Sequence, residues 1–140
     1  MLRQAFTTLD VQAPAQGLHE ISADVGRWVA GSDIRDGVLT LFCRHSSASL
    51  LIQENAAPAA RRDLESYFAR IAPEDPSLYT HNDEGPDDMP AHLRAALTQT
   101  QLTIPVQSGR MMLGTWQGIY LFEHRREPPP RHIVLHLVGE

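Results

Sequence analysis

Apolar residues fall in short runs along this chain, and their spacing changes between a strand-like and a helix-like period. Residues 3–13 read as a strand that ends at the turn 14–17. Ile21, Val25, Trp28 and Val29 then recur at helical spacing, predicting a helix over residues 18–30 with Ser22 as its cap and Gly31-Ser32 as its end. A turn at Asp36-Gly37 leads into two predicted strands, 38–44 and 48–53, separated by the polar step His45-Ser46-Ser47. Leu64, Phe68 and Ile71 stand at i, i+4 and i+7, which predicts a helix over 58–72 with Pro58 in its first turn. The acidic stretch 78–90 reads as a loop, with Asp88 capping a short helix that runs through His92, Leu93, Ala96 and Leu97. Residues 102–106, 117–124 and 132–138 read as strands; in the last, Ile133, Leu135 and Leu137 alternate with His132, Val134 and His136. Helices that interrupt groups of strands without a regular βαβα alternation predict an α+β fold. The expectation is a mixed or largely antiparallel sheet sandwich with two to three helices, forming one domain over residues 1–140.

Composition narrows the functional classes. Apolar residues make up 42 % and charged residues 21 %, an ordinary globular balance, and a domain of this size buries roughly 70 % of its unfolded surface. The net charge of −5 lacks the basic excess of a nucleic-acid binder. Every basic residue is arginine, which excludes Schiff-base chemistry on lysine and a P-loop lysine. The single cysteine, Cys43, lies in the apolar run 38–43 and reads as a small buried hydrophobe. Residues 1–6 lack the apolar core of a signal peptide. No apolar run approaches the roughly 20 residues that span a bilayer. The expectation is a cytosolic protein with no membrane partner.

Three constellations could carry chemistry. His81 and His92 bracket Asp83, Glu84, Asp87 and Asp88. Imidazoles suit zinc-like ions and carboxylates also suit magnesium, so this loop is a candidate divalent-metal site, although its spacing fits no standard zinc motif. A solvated acidic loop that caps a helix is the alternative. His45-Ser46-Ser47 joins a histidine to two hydroxyls, but neighbours on an extended chain point to opposite sides and no Gly-x-Ser-x-Gly elbow is present. A ligand or phosphate contact, or hydroxyls that satisfy a turn, fits better than a covalent nucleophile. In Gly109–Gln117, glycines flank a short apolar run before Thr115-Trp116-Gln117, which could stack on and hydrogen-bond a flat ring, or form a hairpin around a core tryptophan. Glu123 falls by alternation on the face of Ile119 and Leu121, where an ionised carboxylate needs an arginine, a histidine or a metal. Glu54 poses the same question. His124, His132 and His136 read as surface or strand-face residues, and His19 as an exposed helix start.

Taken in order, the stretches His45–Asn55, Arg62–Glu65, Tyr79–His92, Ile104-Pro105-Val106, Gly109, Leu113–Ile119 and Glu123 resemble the YjbQ-like family, described as secondary thiamine-phosphate synthases. The chain departs from the family pattern at Ala57, where an acid is expected, and at Gln99, where glycine is common. The resemblance implies an α+β fold, a homotrimer and a weak ability to join hydroxymethylpyrimidine diphosphate to thiazole phosphate. It points to His45, Glu54, His81, Asp88, His92, Gln117 and Glu123. In that reading His45, His81, Asp88 and His92 would hold a magnesium or zinc ion. Glu54, Gln117 and Glu123 would join His45 in catalysis. Ser46, Ser47, Arg110, Thr115, Trp116 and Arg131 would contact a small phosphorylated substrate. A metal-dependent hydrolase and a non-catalytic small-molecule-binding trimer are the alternatives.

Overall fold

The computed structural model describes residues 1–140. Eight strands and three helices follow in the order β1 (Arg3–Val11), β2 (Gly17–Glu20), α1 (Ser22–Gly31), β3 (Gly37–Cys43), β4 (Ala48–Glu54), α2 (Pro58–Ile71), α3 (Asp88–Leu97), β5 (Gln101–Gln107), β6 (Arg110–Met111), β7 (Gln117–Glu123) and β8 (Arg131–Gly139). A single 3-10 turn, Pro76–Leu78, interrupts the long loop between α2 and α3. The strands form a five-stranded sheet of order β1-β8-β3-β5-β6 and a three-stranded sheet of order β2-β7-β4. Every pairing is antiparallel, so the fold is α+β with no mixed sheet.

The two sheets face each other across one core. Leu39, Leu41, Ile133, Leu135 and Leu137 from the larger sheet meet Leu50, Ile119 and Leu121 from the smaller one. Val25 and Val29 of α1 close one side. A smaller cluster of Leu18, Tyr120 and Phe122, with Leu64 and Phe68 of α2, fills the opposite face of the three-stranded sheet. β7 is therefore covered on both faces, which explains why Ile119–Phe122 is a continuous apolar run rather than an alternating one. The outer face of the larger sheet is exposed and carries Phe6, Val38 and Phe42. No helix is long and apolar enough to cross a membrane.

Two elements differ from the sequence expectation. Residues 17–20 pair with β7 as a strand, and α1 begins only at Ser22. The Ser22 hydroxyl bonds the Glu20 carboxylate and accepts from Ile119 N–H, so it ties the helix start to β7 instead of capping it. His19 accordingly sits on a strand. Asp88 is the first residue of α3, not its cap, because its side chain is engaged elsewhere. The two-residue strand β6 is too short to leave a periodic signal.

Candidate functional site

The loop before α3 returns beside the turn between β3 and β4, and the contacts made there build the site. Asp88 is 2 % exposed and is the centre of it. Its Oδ2 lies 3.0 Å from His81 Nε2 and 3.1 Å from His92 Nε2. Its Oδ1 accepts from Arg125 Nη1 at 2.5 Å. Asp88 and His92 stand at i and i+4, so the first turns of α3 present both to the same side. Glu84 Oε2 is 3.7 Å from His81 Nε2. One ligand atom from each of His81, Glu84, Asp88 and His92 falls within 4.8 Å of the others.

The hydrogen-bond chemistry of His92 defines what this cluster wants. Its Nδ1 lies 3.0 Å from the Ser46 carbonyl, which can only accept, so that nitrogen is the donor. Nε2 then faces the Asp88 carboxylate. A contact of that length needs a proton or a cation between the two atoms. A carbonyl that fixes one nitrogen so that the other can ligate is the usual outer support of a metal-bound histidine.

Arg125 supports the acids. It donates from Nε to Asp87 Oδ2 at 3.0 Å and from Nη2 to the Glu84 carbonyl at 2.9 Å, in addition to its Asp88 contact. Burial alone would raise the Asp88 carboxyl, but the charges of His92 and Arg125 and the hydrogen bond from His81 outweigh it and hold the group below the usual carboxylate range. Asp87 is likewise held down against its own burial by the Arg126 N–H and by Arg125. Both acids are ionised at neutral pH.

His45 lies next to this cluster but outside it. Its Nε2 accepts from His132 N–H at 2.8 Å, so that lone pair is used and Nδ1 carries the proton. Burial, then Arg131 and His132, push its pKa down and keep the ring neutral. His45 therefore aligns the turn and is not a ligand of this set. Ser46 contributes its carbonyl, and Ser47 offers its carbonyl to Arg131 Nη2 at 3.0 Å. Both act through the backbone. Glu123 and Arg131 find each other: Nε to Oε1 is 2.6 Å and Nη2 to Oε2 is 2.5 Å, with both side chains fully buried. The partner Glu123 requires is an arginine, and Arg131, 2 % exposed, spends Nε and Nη2 on Glu123 and Ser47.

The remaining candidates lie at the other end of β4 and β7. Glu54 pairs in register with Gln117, whereas Ala48 pairs with Glu123. Six residue steps separate the two ends, roughly 20 Å at about 3.3 Å per residue. There Glu54 Oε2 accepts from Ala56 and Ala57 N–H at the start of α2, and Gln117 Oε1 accepts from Gly114 N–H. Trp116 is 63 % exposed, so it is not a core tryptophan. Arg110 and Thr115 are exposed as well.

The family question is decided by comparison. The pattern of the UPF0047 YjbQ-like proteins matches residues 7–140. This chain belongs to that family. A UPF0047 protein of Synechocystis is 46 % identical over 99 % of this chain and 94 % of its own length. The UPF0047 protein YjbQ of Escherichia coli O157:H7 is 40 % identical over 95 % and 96 %. Among solved structures, a YbjQ-like protein of unknown function from Sulfolobus solfataricus P2 superposes with a TM-score of 0.92 at 27 % identity, covering 100 % of both chains. The YjbQ-like fold described above is thus shared throughout.

Glu84 and Asp87 fall in the acidic loop that the sequence marks, whereas Arg125, which binds that loop, carries no reading in the sequence analysis. Arg125 had a readable signal, a pair of arginines directly after an apolar strand that ends in Glu123. His124 corrects an expectation, since it is fully buried and not a surface residue. Its Nε2 lies 2.9 Å from Ser49 Oγ, and burial, then Arg94 and Arg131, push its pKa down to about 3.

Proposed function

We propose that this protein is a divalent-metal enzyme acting on a small phosphorylated substrate, with His81, Asp88 and His92 as metal ligands and Glu84 beside them. The observation that carries the reading is the convergence of both Nε2 atoms on Asp88 Oδ2 while His92 Nδ1 is committed to Ser46. Ligands about 2.0–2.2 Å from a tetrahedral ion stand about 3.4 Å from one another, and the separations here are 3.0, 3.1 and 3.7 Å. Two imidazoles favour a zinc-like ion over magnesium. Exposure supports a catalytic role over a structural one: the side chains of His81, Glu84 and His92 are 45 %, 64 % and 31 % exposed, and catalytic sites keep a position open where structural sites are closed.

Bound there, such an ion supplies Lewis-acid polarisation of a phosphoryl or carbonyl oxygen and lowers the pKa of water. Asp88, fixed by Arg125, contributes the negative charge, and Glu84 is the solvent-facing carboxylate able to take or return a proton. Condensation of hydroxymethylpyrimidine diphosphate with thiazole phosphate is the specific reaction that the family resemblance supports. A hydrolase is favoured instead by the open, solvent-facing cluster. Purified protein given both thiamine halves and zinc, manganese or magnesium forms thiamine phosphate in the first case. It releases phosphate from a phosphorylated substrate alone in the second. Metal analysis tests the common premise: one ion per chain is expected, with loss in His81→Ala and in His92→Ala. Full metal content in both variants would overturn it.

A homotrimer fits the exposed aromatic face of the larger sheet, where Phe6 stacks on His136 at 4.0 Å and Val38 and Phe42 lie open. Light scattering on the eluting protein gives a trimer mass in that reading, and a monomer refutes it.

A further inference from the structure

A second concave site lies between α2, α3 and the β2–β7 edge, a cavity of about 530 Å³ lined by Gln16, Glu65, Phe68, Glu74, Arg94 and Arg126 among others. Arg94 is the unusual member. It is 6 % exposed, it donates from Nη2 to the Ala72 carbonyl at 2.7 Å, and its Nε has no partner. No carboxylate approaches it within ion-pair distance. The acids of the same cavity are committed elsewhere: Glu74 is paired with Arg126 and also accepts from Gln16 Nε2 at 3.1 Å, while Glu65 Oε2 accepts from Leu18 N–H at 2.8 Å. A guanidinium is effectively always charged, and a buried charge without a counter-ion is costly. Every other buried charged side chain of this protein has its partner: Glu123 has Arg131, and Asp87 and Asp88 have Arg125.

We propose that this cavity is an oxyanion-binding site in which Arg94 receives the phosphate or carboxylate of a small organic molecule, with the molecule's apolar body against Phe68 and Phe122. The two phenyl rings meet edge to face at 5.3 Å and form the wall that a flat or aliphatic body would cover. A guanidinium offers a planar fork that matches both oxyanions, and its partly unused donors are what such a group would fill. Glu74 and Arg126 neutralise each other, so Arg94 is the one cation of the lining without an ion-pair partner, and the Glu65 carboxylate is held on Leu18 N–H. The cavity and the His–acid cluster use different side chains, although Arg126 N–H also donates to Asp87 Oδ2 at 2.9 Å. Anion binding here does not depend on metal at the cluster.

Thermal melts of metal-stripped protein in sodium phosphate and in sodium acetate, each against sodium chloride of equal ionic strength, test the site. A saturable rise in Tm with either salt supports it, and the salt that works identifies the head group. No rise with both overturns it. In Arg94→Met the anion-dependent rise disappears while the Tm in chloride stays level or increases, because an unpaired buried charge has been removed. An unchanged anion response in this variant overturns the proposal. Ala69→Trp fills the cavity from the exposed side of α2 with the Arg94 side chain retained, and it too must abolish the rise. His81→Ala/His92→Ala must keep it, which separates this site from the metal cluster.

Discussion

At the Ala48–Glu123 end of the β4–β7 ladder, Asp87, Asp88 and Glu123 each have a guanidinium on them, and two histidines face one of the acids. At the Glu54–Gln117 end the same residue types serve only their own turns: Glu54 holds the entry to α2, and Gln117 holds Gly114. Both ends have candidate acids at the tip of an apolar strand, and a linear reading does not tell them apart. The difference comes from what crosses over them. The loop before α3 and the segment after β7 both pass the first end and bring charges of opposite sign into contact. The second end is closed only by the turns that flank it, at the entry to α2 and before β7.

The largest effect is expected where burial is most complete. Arg131→Met strands the Glu123 carboxylate in the core and should cost about 3–5 kcal/mol, as removal of one partner of a buried pair generally does. Adding Glu123→Gln to Arg131→Met should recover most of that loss. Urea unfolding of the two variants reads both values, and a single variant as stable as the native protein would show the first end to be no more constrained than the second.

Arg125 offers a way to sharpen the functional side of the contrast. It does not belong to the ligand set, but it bonds Asp88 Oδ1 and thereby aims Oδ2. Arg125→Gln should weaken metal binding by about 10–100-fold with the ligands intact, the usual size of an outer-support loss. Calorimetric titration with zinc measures it. Unchanged affinity would reduce Arg125 to a structural clamp.

His124 tests the same end through protons. The unfolded ring has a pKa of 6.5 and the folded one about 3. Between those values the unfolded chain binds the extra proton, so the stability contribution is complete above pH 6.5 and is lost as pH falls toward 3. The loss is about 1.4 kcal/mol per pH unit and about 5 kcal/mol in full. His124→Gln keeps a donor for Ser49 and cannot titrate, so its stability curve between pH 6.5 and 5 should be flatter by one proton. A slope equal to that of the native protein would place the acid sensitivity elsewhere.

Period and punctuation were enough to locate most elements, because the long apolar runs of β3, β4, β7 and β8 answer to one core. The segment 17–20 was misplaced because Leu18 continues the helical spacing of Ile21 and Val25, while its real constraint is pairing with β7, over a hundred residues away. The His–acid cluster is half legible. Four groups crowded between residues 81 and 92 announce themselves, whereas His45 resembles a ligand until its lone pair is found on His132 N–H. Arg94 was invisible: a helical arginine is ordinarily solvated, and only the packing of α3 against Ala72 shows that this one is not.

The smallest effects belong to the far end, and they decide whether the contrast is real. Glu54→Ala removes the one oxygen that accepts from two backbone N–H groups at the entry to α2 and should cost about 1 kcal/mol, the scale of a lost helix-start contact. Trp116→Ala deletes a side chain that is 63 % exposed, so its effect on stability should stay within about 0.5 kcal/mol. Neither variant should change zinc affinity, since no atom of either side chain belongs to the His81–His92 cluster. If Trp116→Ala lowered metal affinity as Arg125→Gln does, the two ends would have to meet in the working protein. The only geometry that allows it is contact between copies of the chain, with the far end of one subunit resting against the cluster of another.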